Sequence, residues 1–284
     1  MPVECRGTGR LPRLRTRVFC LVAIWLAPIP ALAASTAPAY VDPVYRDAFE
    51  AFACTAGDDP HPNEGLFEEP GVGGCADGMV PVASFCIDRY EAALLDVTIP
   101  AAPVAWSPYR NPGTTAVRAV SARFAIPQGT ISGDQAAAAC QAAGKRLCSN
   151  SEWLRACQGP DMLTFPYGNT RLPGVCNDAR STHPVADYFG TPGPWTPEQL
   201  QHPCINQQWN TVDRAGANAQ CVSAEGPYDM MGNLNEWTSD PAGTYRGGFY
   251  LDTQINGNGC LYLTTAHDTE YFDYSTGFRC CADP

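Results

Sequence analysis

The sequence predicts a disulfide-rich domain of low regular secondary structure, in which a few helices and short strands are held together by cross-links. Three observations carry this reading. The 284 residues contain 14 Cys, 26 Gly and 26 Pro. An even set of cysteines in an exported chain is a disulfide framework. Only two segments carry both a helix start and a helix stop signal. With 45% hydrophobic and 17% charged residues, the chain has the composition to bury a sizeable core rather than stay disordered.

The export reading comes from the first residues. Arg6, Arg10, Arg13, Arg15 and Arg17 precede an apolar run over residues 18–27, and Ala31-Leu32-Ala33 supplies the small residues that a signal peptidase accepts. Pro28 and Pro30 interrupt the run, which falls short of the roughly 20 apolar residues a spanning helix needs. Residues 1–33 are therefore expected to be a cleaved signal peptide, with no membrane span, which makes the mature protein secreted or periplasmic. Cys20 does not follow a lipobox. Loss of Cys5 and Cys20 leaves twelve cysteines and a charge of about −15, from 13 basic against 28 acidic residues; the whole chain carries −11. Lys145 is its single lysine. No basic stripe exists to neutralise phosphates, so nucleic-acid binding is excluded.

Residues 34–74 are rich in Ala, Pro, Gly and acids, as in Asp58-Asp59-Pro60-His61-Pro62 and Glu68-Glu69-Pro70-Gly71. They read as a linker or arm, with one short helix near Tyr45 to Phe52, tied down by Cys54. The ordered domain is placed at 75–284. Its first element is a strand from Met79 to Asp88, entering the core. Ser132-x-x-Gln135 is a capping box opening an Ala-rich helix to Ala143, with Gly144 as the stop. Ser149-x-x-Glu152 opens a second helix that Gly159 ends. Cys140 and Cys157 lie on these helices and can staple each to a distant segment. Beyond Gly159 only short strand-like pieces occur, at Tyr245 to Leu251 and Leu261 to Thr264. Gly71-Val72-Gly73-Gly74 lacks the Lys and helix of a phosphate loop, and no Gly-x-Ser-x-Gly occurs.

Several strings stand in a telling order: Phe85-Cys86-Ile87-Asp88-Arg89-Tyr90-Glu91, Gly144-Lys145-Arg146-Leu147, Ser151-Glu152-Trp153, Tyr228 to Trp237 (YDMMGNLNEW), Arg246-Gly247-Gly248 and Gly277-Phe278-Arg279-Cys280. Together they resemble the formylglycine-generating enzyme, or sulfatase-modifying factor, family across about residues 75–284. The resemblance implies a single α+β domain related to C-type lectin folds. It also implies an oxidase that uses O₂ and a Cu(I) ion held by two cysteines, soft thiolates suiting that ion. Counted from Gly247-Gly248, the two positions are Asp252 and Gly257. Neither is a thiol, so copper-thiolate chemistry as the family runs it is not expected. Cys260 instead matches a structural cysteine that bridges to Cys157, and the resemblance likewise implies Cys140 with Cys280. The other eight mature cysteines allow 105 connectivities.

The resemblance further implies calcium at Asp229-x-x-Gly232-Asn233-Leu234-x-Glu236, through the side chains of Asp229 and Glu236 and the carbonyls of Gly232 and Leu234; many oxygens in flexible geometry suit that ion. A second calcium falls on Asn177 and Asp178, with Asp213 as one candidate partner. The old cleft is expected to hold Asn235, Phe249, Tyr250, Asp252 and His267. Of His61, His183, His202 and His267, no pair has metal spacing on a helix; His267, Asp268 and Asp252 form a conceivable Fe(II) set. Aromatic residues Tyr245, Phe249, Tyr250, Tyr262, Tyr271, Phe272 and Tyr274 either line a groove or fill the core.

The expectation is a pseudoenzyme: a calcium-stabilised scaffold presenting a cleft to a peptide or small-molecule ligand, without copper or iron. The alternative is an oxidoreductase of altered, non-haem metal chemistry in the same cleft, since relatives of the pyoverdine-maturation type lack the cysteine pair. A third reading has Cys260 or Cys281 restore the original activity.

Overall fold

The computed structural model describes residues 54–284. The expected signal peptide and the helix near Tyr45 to Phe52 lie outside the described residues.

The run from Met79 to Asp88 is two strands rather than one. Ala83 takes a left-handed φ of 50°, which turns the chain into a hairpin of β1 (Met79–Val82) and β2 (Phe85–Asp88) with Val82 opposite Phe85. β3 (Ala93–Asp96) then pairs antiparallel with both β4 (Val104–Ala105) and β5 (Val117–Val120).

Both capping boxes close as the sequence predicts. α1 (Gly133–Ala142) starts on Ser132, which accepts from the Gln135 N–H while Gln135 reaches back. α2 (Asn150–Gln158) starts the same way on Ser149 and Glu152 and ends at Gly159. Between them runs β6 (Arg146–Leu147). α1 buries Ala136, Ala139 and Cys140 against Ile131, Leu147, Trp237 and Phe278. α2 buries Trp153, Ala156 and Cys157 against Val82, Ile87 and Met230. Two further helices, α3 (Pro184–Phe189) and α4 (Pro197–Leu200), each carry Pro in the first turn. Both are too short to show an apolar period, but α4 opens on a third capping box, Thr196 with Gln199, a start signal that the sequence reading passed over.

The remaining strands are β7 (Asn235–Trp237), β8 (Tyr245–Arg246), β9 (Leu263–Thr264), β10 (Thr276–Phe278) and β11 (Cys280–Ala282). The piece expected from Tyr245 to Leu251 stops after two residues because Gly247 and Gly248, at φ 86° and 72°, turn the chain away. The piece expected from Leu261 keeps only Leu263 and Thr264. The sheets are ordered β1-β2-β11-β6, β10-β7-β8-β9 and β4-β3-β5, which makes the fold mixed α+β with little regular structure.

Six disulfides use every cysteine among the described residues: Cys54–Cys204, Cys75–Cys86, Cys140–Cys280, Cys148–Cys281, Cys157–Cys260 and Cys176–Cys221. Two of these are the pairs the resemblance implied. Cys280 and Cys281 reach different partners because successive side chains on a strand face opposite ways. Cys281 and Cys260 are both bonded, so neither offers the free thiol that the restored-activity reading requires.

Residues 54–74 run along the domain without regular structure. Besides the Cys54 bridge, the Asn63 side chain exchanges two 2.8 Å hydrogen bonds with the Ile126 backbone. Glu68 meets Lys145 at 3.0 Å, and the same ammonium lies 2.8 Å from the fully buried Asp88. The lone lysine is thus a buried counter-ion that joins the arm to β2.

Candidate functional site

β7 and the turn before it bring charge into the interior. Glu236 is buried, and its carboxylate is gripped by Arg279: Nε donates to Oε2 and Nη2 to Oε1, both at 2.6 Å. Trp153 on α2 donates to Oε2 at 2.7 Å. Arg279 also donates to the Tyr228 and Asp88 carbonyls. Two more buried carboxylates adjoin this pair. Glu91 accepts from the Leu234 N–H and the Asn233 amide. Asp229, at φ 55°, accepts from the Gly216 N–H at 2.7 Å through Oδ2, whereas its Oδ1 is buried without a partner. Three acids face one guanidinium. Burial, then the repulsion of Asp229 and Glu236, lifts Glu91 well above the usual carboxylate range. Asp229 is pushed up to about 7, chiefly by burial.

This geometry corrects the calcium set read from the sequence. Glu236 is committed to Arg279 and Trp153, and a guanidinium bound to the same carboxylate repels a divalent cation. The four donors Asp229, Gly232, Leu234 and Glu236 therefore do not fit a calcium ion as a set. The Asp229 Oδ1 atom is without a partner. Among the described residues no group of three or more His, Cys, Asp or Glu side chains is arranged to hold a metal.

Asn233 is the hub of the neighbouring loops. Its Oδ1 accepts from the Asn177 amide and the Asp213 N–H, its Nδ2 donates to Glu91 and the Asp213 carbonyl, and its N–H donates to the Asn177 carbonyl. Asn177 and Asp213 are thereby brought together. Arg171 pairs with the Asp178 carboxylate at 2.5 Å and also donates to the Asp178 carbonyl at 3.3 Å.

The loop at the family's cysteine positions is a self-contained turn. Asp252 Oδ1 accepts from the Gln254 and Ile255 N–H groups, and Oδ2 accepts from the Tyr262 hydroxyl at 3.1 Å. His267 does not join Asp252; it stacks on Tyr271 with ring centroids 3.5 Å apart. His61 bonds to the Ala105 carbonyl, His183 to Tyr274 and His202 to the Cys204 N–H. The remaining residues expected in the cleft differ in exposure. Asn235 is buried with Oδ1 unpartnered, Phe249 is half-buried, and the fully buried Tyr250 donates to Asn206. Tyr245, Tyr250, Tyr262 and Tyr274 are core, while Tyr271 and Phe272 are half-buried. Two cavities, about 330 Å³ beside Trp106 and about 520 Å³ between α1 and residues 238–241, are lined by none of the five expected cleft residues.

Sequence reasoning missed Glu91, Asn233 and Arg279 as members of one site. All three stood in the quoted strings; the signal available was a charged or amide residue inside an otherwise apolar motif.

The sulfatase-modifying factor enzyme 1-like domain matches residues 43–283. A formylglycine-generating enzyme from Thermomonospora curvata is 28% identical over 234 residues, which cover 67% of this chain and 68% of that one. Among solved structures, the Major Tropism Determinant I1 variant aligns with a TM-score of 0.44 at 13% identity, over 77% of this chain and 55% of its own, so this chain spans about half of that protein. PvdO from Pseudomonas aeruginosa aligns with a TM-score of 0.43 at 17% identity, over 76% and 86% of the two chains.

Proposed function

Because the chain belongs to the sulfatase-modifying factor enzyme 1-like domain family, we propose that it is a disulfide-locked member in which the fold serves as a binding scaffold for a peptide or small molecule rather than for copper-thiolate oxidation. The observation that carries this is the thiol inventory: all twelve cysteines among the described residues are bonded, and positions 252 and 257 supply an aspartate and a glycine. A Cu(I) site of the family's kind needs two thiolates. Asp252, the hard oxygen at the first position, is held in its own turn.

Calcium enters this proposal through Asp229 with the carbonyls of Gly232 and Leu234, without Glu236. An unpartnered buried carboxylate oxygen, beside Glu91 and Glu236 with Arg279 as their shared cation, is stabilised by a cation or by a proton. Glu236 serves as the counter-ion of Arg279. Export through residues 1–33 is part of the same proposal. Six disulfides fit an oxidising compartment, and no helix among the described residues is long and apolar enough to cross a membrane.

The test is the metal content of the mature protein, exported and purified without chelators, followed by thermal unfolding with and without chelator. About one calcium ion per chain, with a melting temperature that chelation lowers and Asp229→Asn makes chelator-insensitive, is the expected outcome. Stoichiometric iron or copper, with turnover lost on changing Asp252 or His267, would overturn the scaffold in favour of an oxidoreductase of altered chemistry.

A further inference from the structure

Residues 256–259 read Asn-Gly-Asn-Gly, and Asn-Gly occurs nowhere else in the chain. The two steps are chemically alike and differ in how deeply the glycine is buried. Asn256 is exposed and Gly257 half-buried; a Cβ on Gly257 would lie 2.6 Å from the Leu261 carbonyl, yet its N–H makes only one long bond, 3.3 Å to the Gln254 carbonyl. Glycine has no Cβ to shield that nitrogen. Asn258 is also exposed, but Gly259 behind it is buried, with its N–H donating at 3.1 Å to the Thr253 carbonyl. A Cβ on Gly259 would lie 2.5 Å from the Phe165 ring, so that peptide plane is packed in place.

We propose that Asn256 is a self-modification site, converting to aspartate and isoaspartate in the native protein while Asn258 stays an amide. The deprotonated Gly257 nitrogen attacks Asn256 Cγ; the N–Cγ bond forms, the Cγ–Nδ2 bond breaks, and the nitrogen leaves as ammonia. Water then opens the cyclic imide at either carbonyl. The net change is one water consumed and one ammonia released, with no oxidant or reductant.

The conversion alters the loop that stands at the family's copper positions. Asn256 Nδ2 donates to the Tyr262 hydroxyl at 3.2 Å, and that hydroxyl donates to Asp252 at 3.1 Å. A carboxylate at 256 has no proton to donate. The tyrosine then lies between two acids, and the turn loses one of its hydrogen bonds while gaining a charge.

The experiment follows both sites by peptide mapping and by isoaspartate-specific methylation. The full, disulfide-intact chain is incubated at body temperature and mildly alkaline pH, beside a reduced, alkylated and denatured sample. In the native chain Asn256 is expected to convert at least about tenfold faster than Asn258, equivalent to about 1.4 kcal/mol of barrier, while both convert in the denatured one. Asn256→Gln, whose longer side chain disfavours the ring closure, removes the native product. Persistence of the native Asn256 amide over the time in which the denatured chain converts would overturn the proposal. So would equal conversion of both sites in the native chain.

Discussion

Replacing Cys140 and Cys280 together by alanine is expected to destabilise less than replacing Cys157 and Cys260, although the first bridge spans 140 residues and the second 103. Taken singly, loops of those lengths give chain-entropy contributions of about 5.0 and 4.7 kcal/mol. The unfolded chain, however, retains its other bridges. Cys148–Cys281 lies beside the first pair, so the shortest covalent path from 140 to 280 runs along about nine residues and the contribution falls to about 2.6 kcal/mol. From 157 to 260 the path through the same bridge is about 30 residues, which keeps about 3.6 kcal/mol. All four cysteines are fully buried, so the cavity left by the lost sulfurs enters both variants and largely cancels in the comparison. Urea unfolding followed by tryptophan fluorescence, without reductant, should place the Cys157/Cys260 variant about 1 kcal/mol below the other. Equal losses, or a larger loss for Cys140/Cys280, would refute the reasoning. Removing Cys140, Cys280, Cys148 and Cys281 together should exceed the sum of the two single-bridge losses by about 1 kcal/mol, because each bridge currently shortens the loop of the other.

Arg279→Met leaves three buried acids without their cation and should cost about 3 to 5 kcal/mol near neutral pH, read by denaturant unfolding; acid should recover part of the loss as the carboxylates take up protons. Glu152 is held at about 2, because hydrogen bonds from Arg146 and Ser149 outweigh the opposing effect of burial. Its folded value lies below its unfolded one, so its contribution is present above the ordinary carboxylate range and disappears as pH falls toward 2. Glu152→Gln should therefore cost about 1 kcal/mol at neutral pH, after allowance for solvent screening, and almost nothing at the acid end of a melting series. Asp252→Ala removes the acceptor for two N–H groups and the Tyr262 hydroxyl and should lower stability by about 1 kcal/mol; a melting temperature equal to that of the parent would show the turn to be held by other contacts.

The sequence by itself determined what depends on neighbours three or four residues apart. Ser132 with Gln135 and Ser149 with Glu152 mark both long helices because a capping box is a local hydrogen-bond exchange. The motif order identified the family, and Asp252 and Gly257 could be read directly against its thiols. Local signals also misled. Met79 to Asp88 has the composition of one strand, and only the left-handed Ala83 divides it. Of the two readings open for the aromatic residues from Tyr245 on, core holds for Tyr245, Tyr250, Tyr262 and Tyr274.

The tertiary structure decided what depends on distance through space. Which of 105 pairings joined the other eight cysteines followed from which segments lie side by side, as when β11 turns Cys281 toward Cys148, at the end of β6. Whether Glu236 meets a cation or a guanidinium could not be read from its spacing to Asp229. The answer came from Arg279, 43 residues further on, carried to it by the parallel pairing of β10 with β7. Capping is complete within one turn of backbone, whereas the charge state of a buried acid is set by whatever the whole fold packs against it.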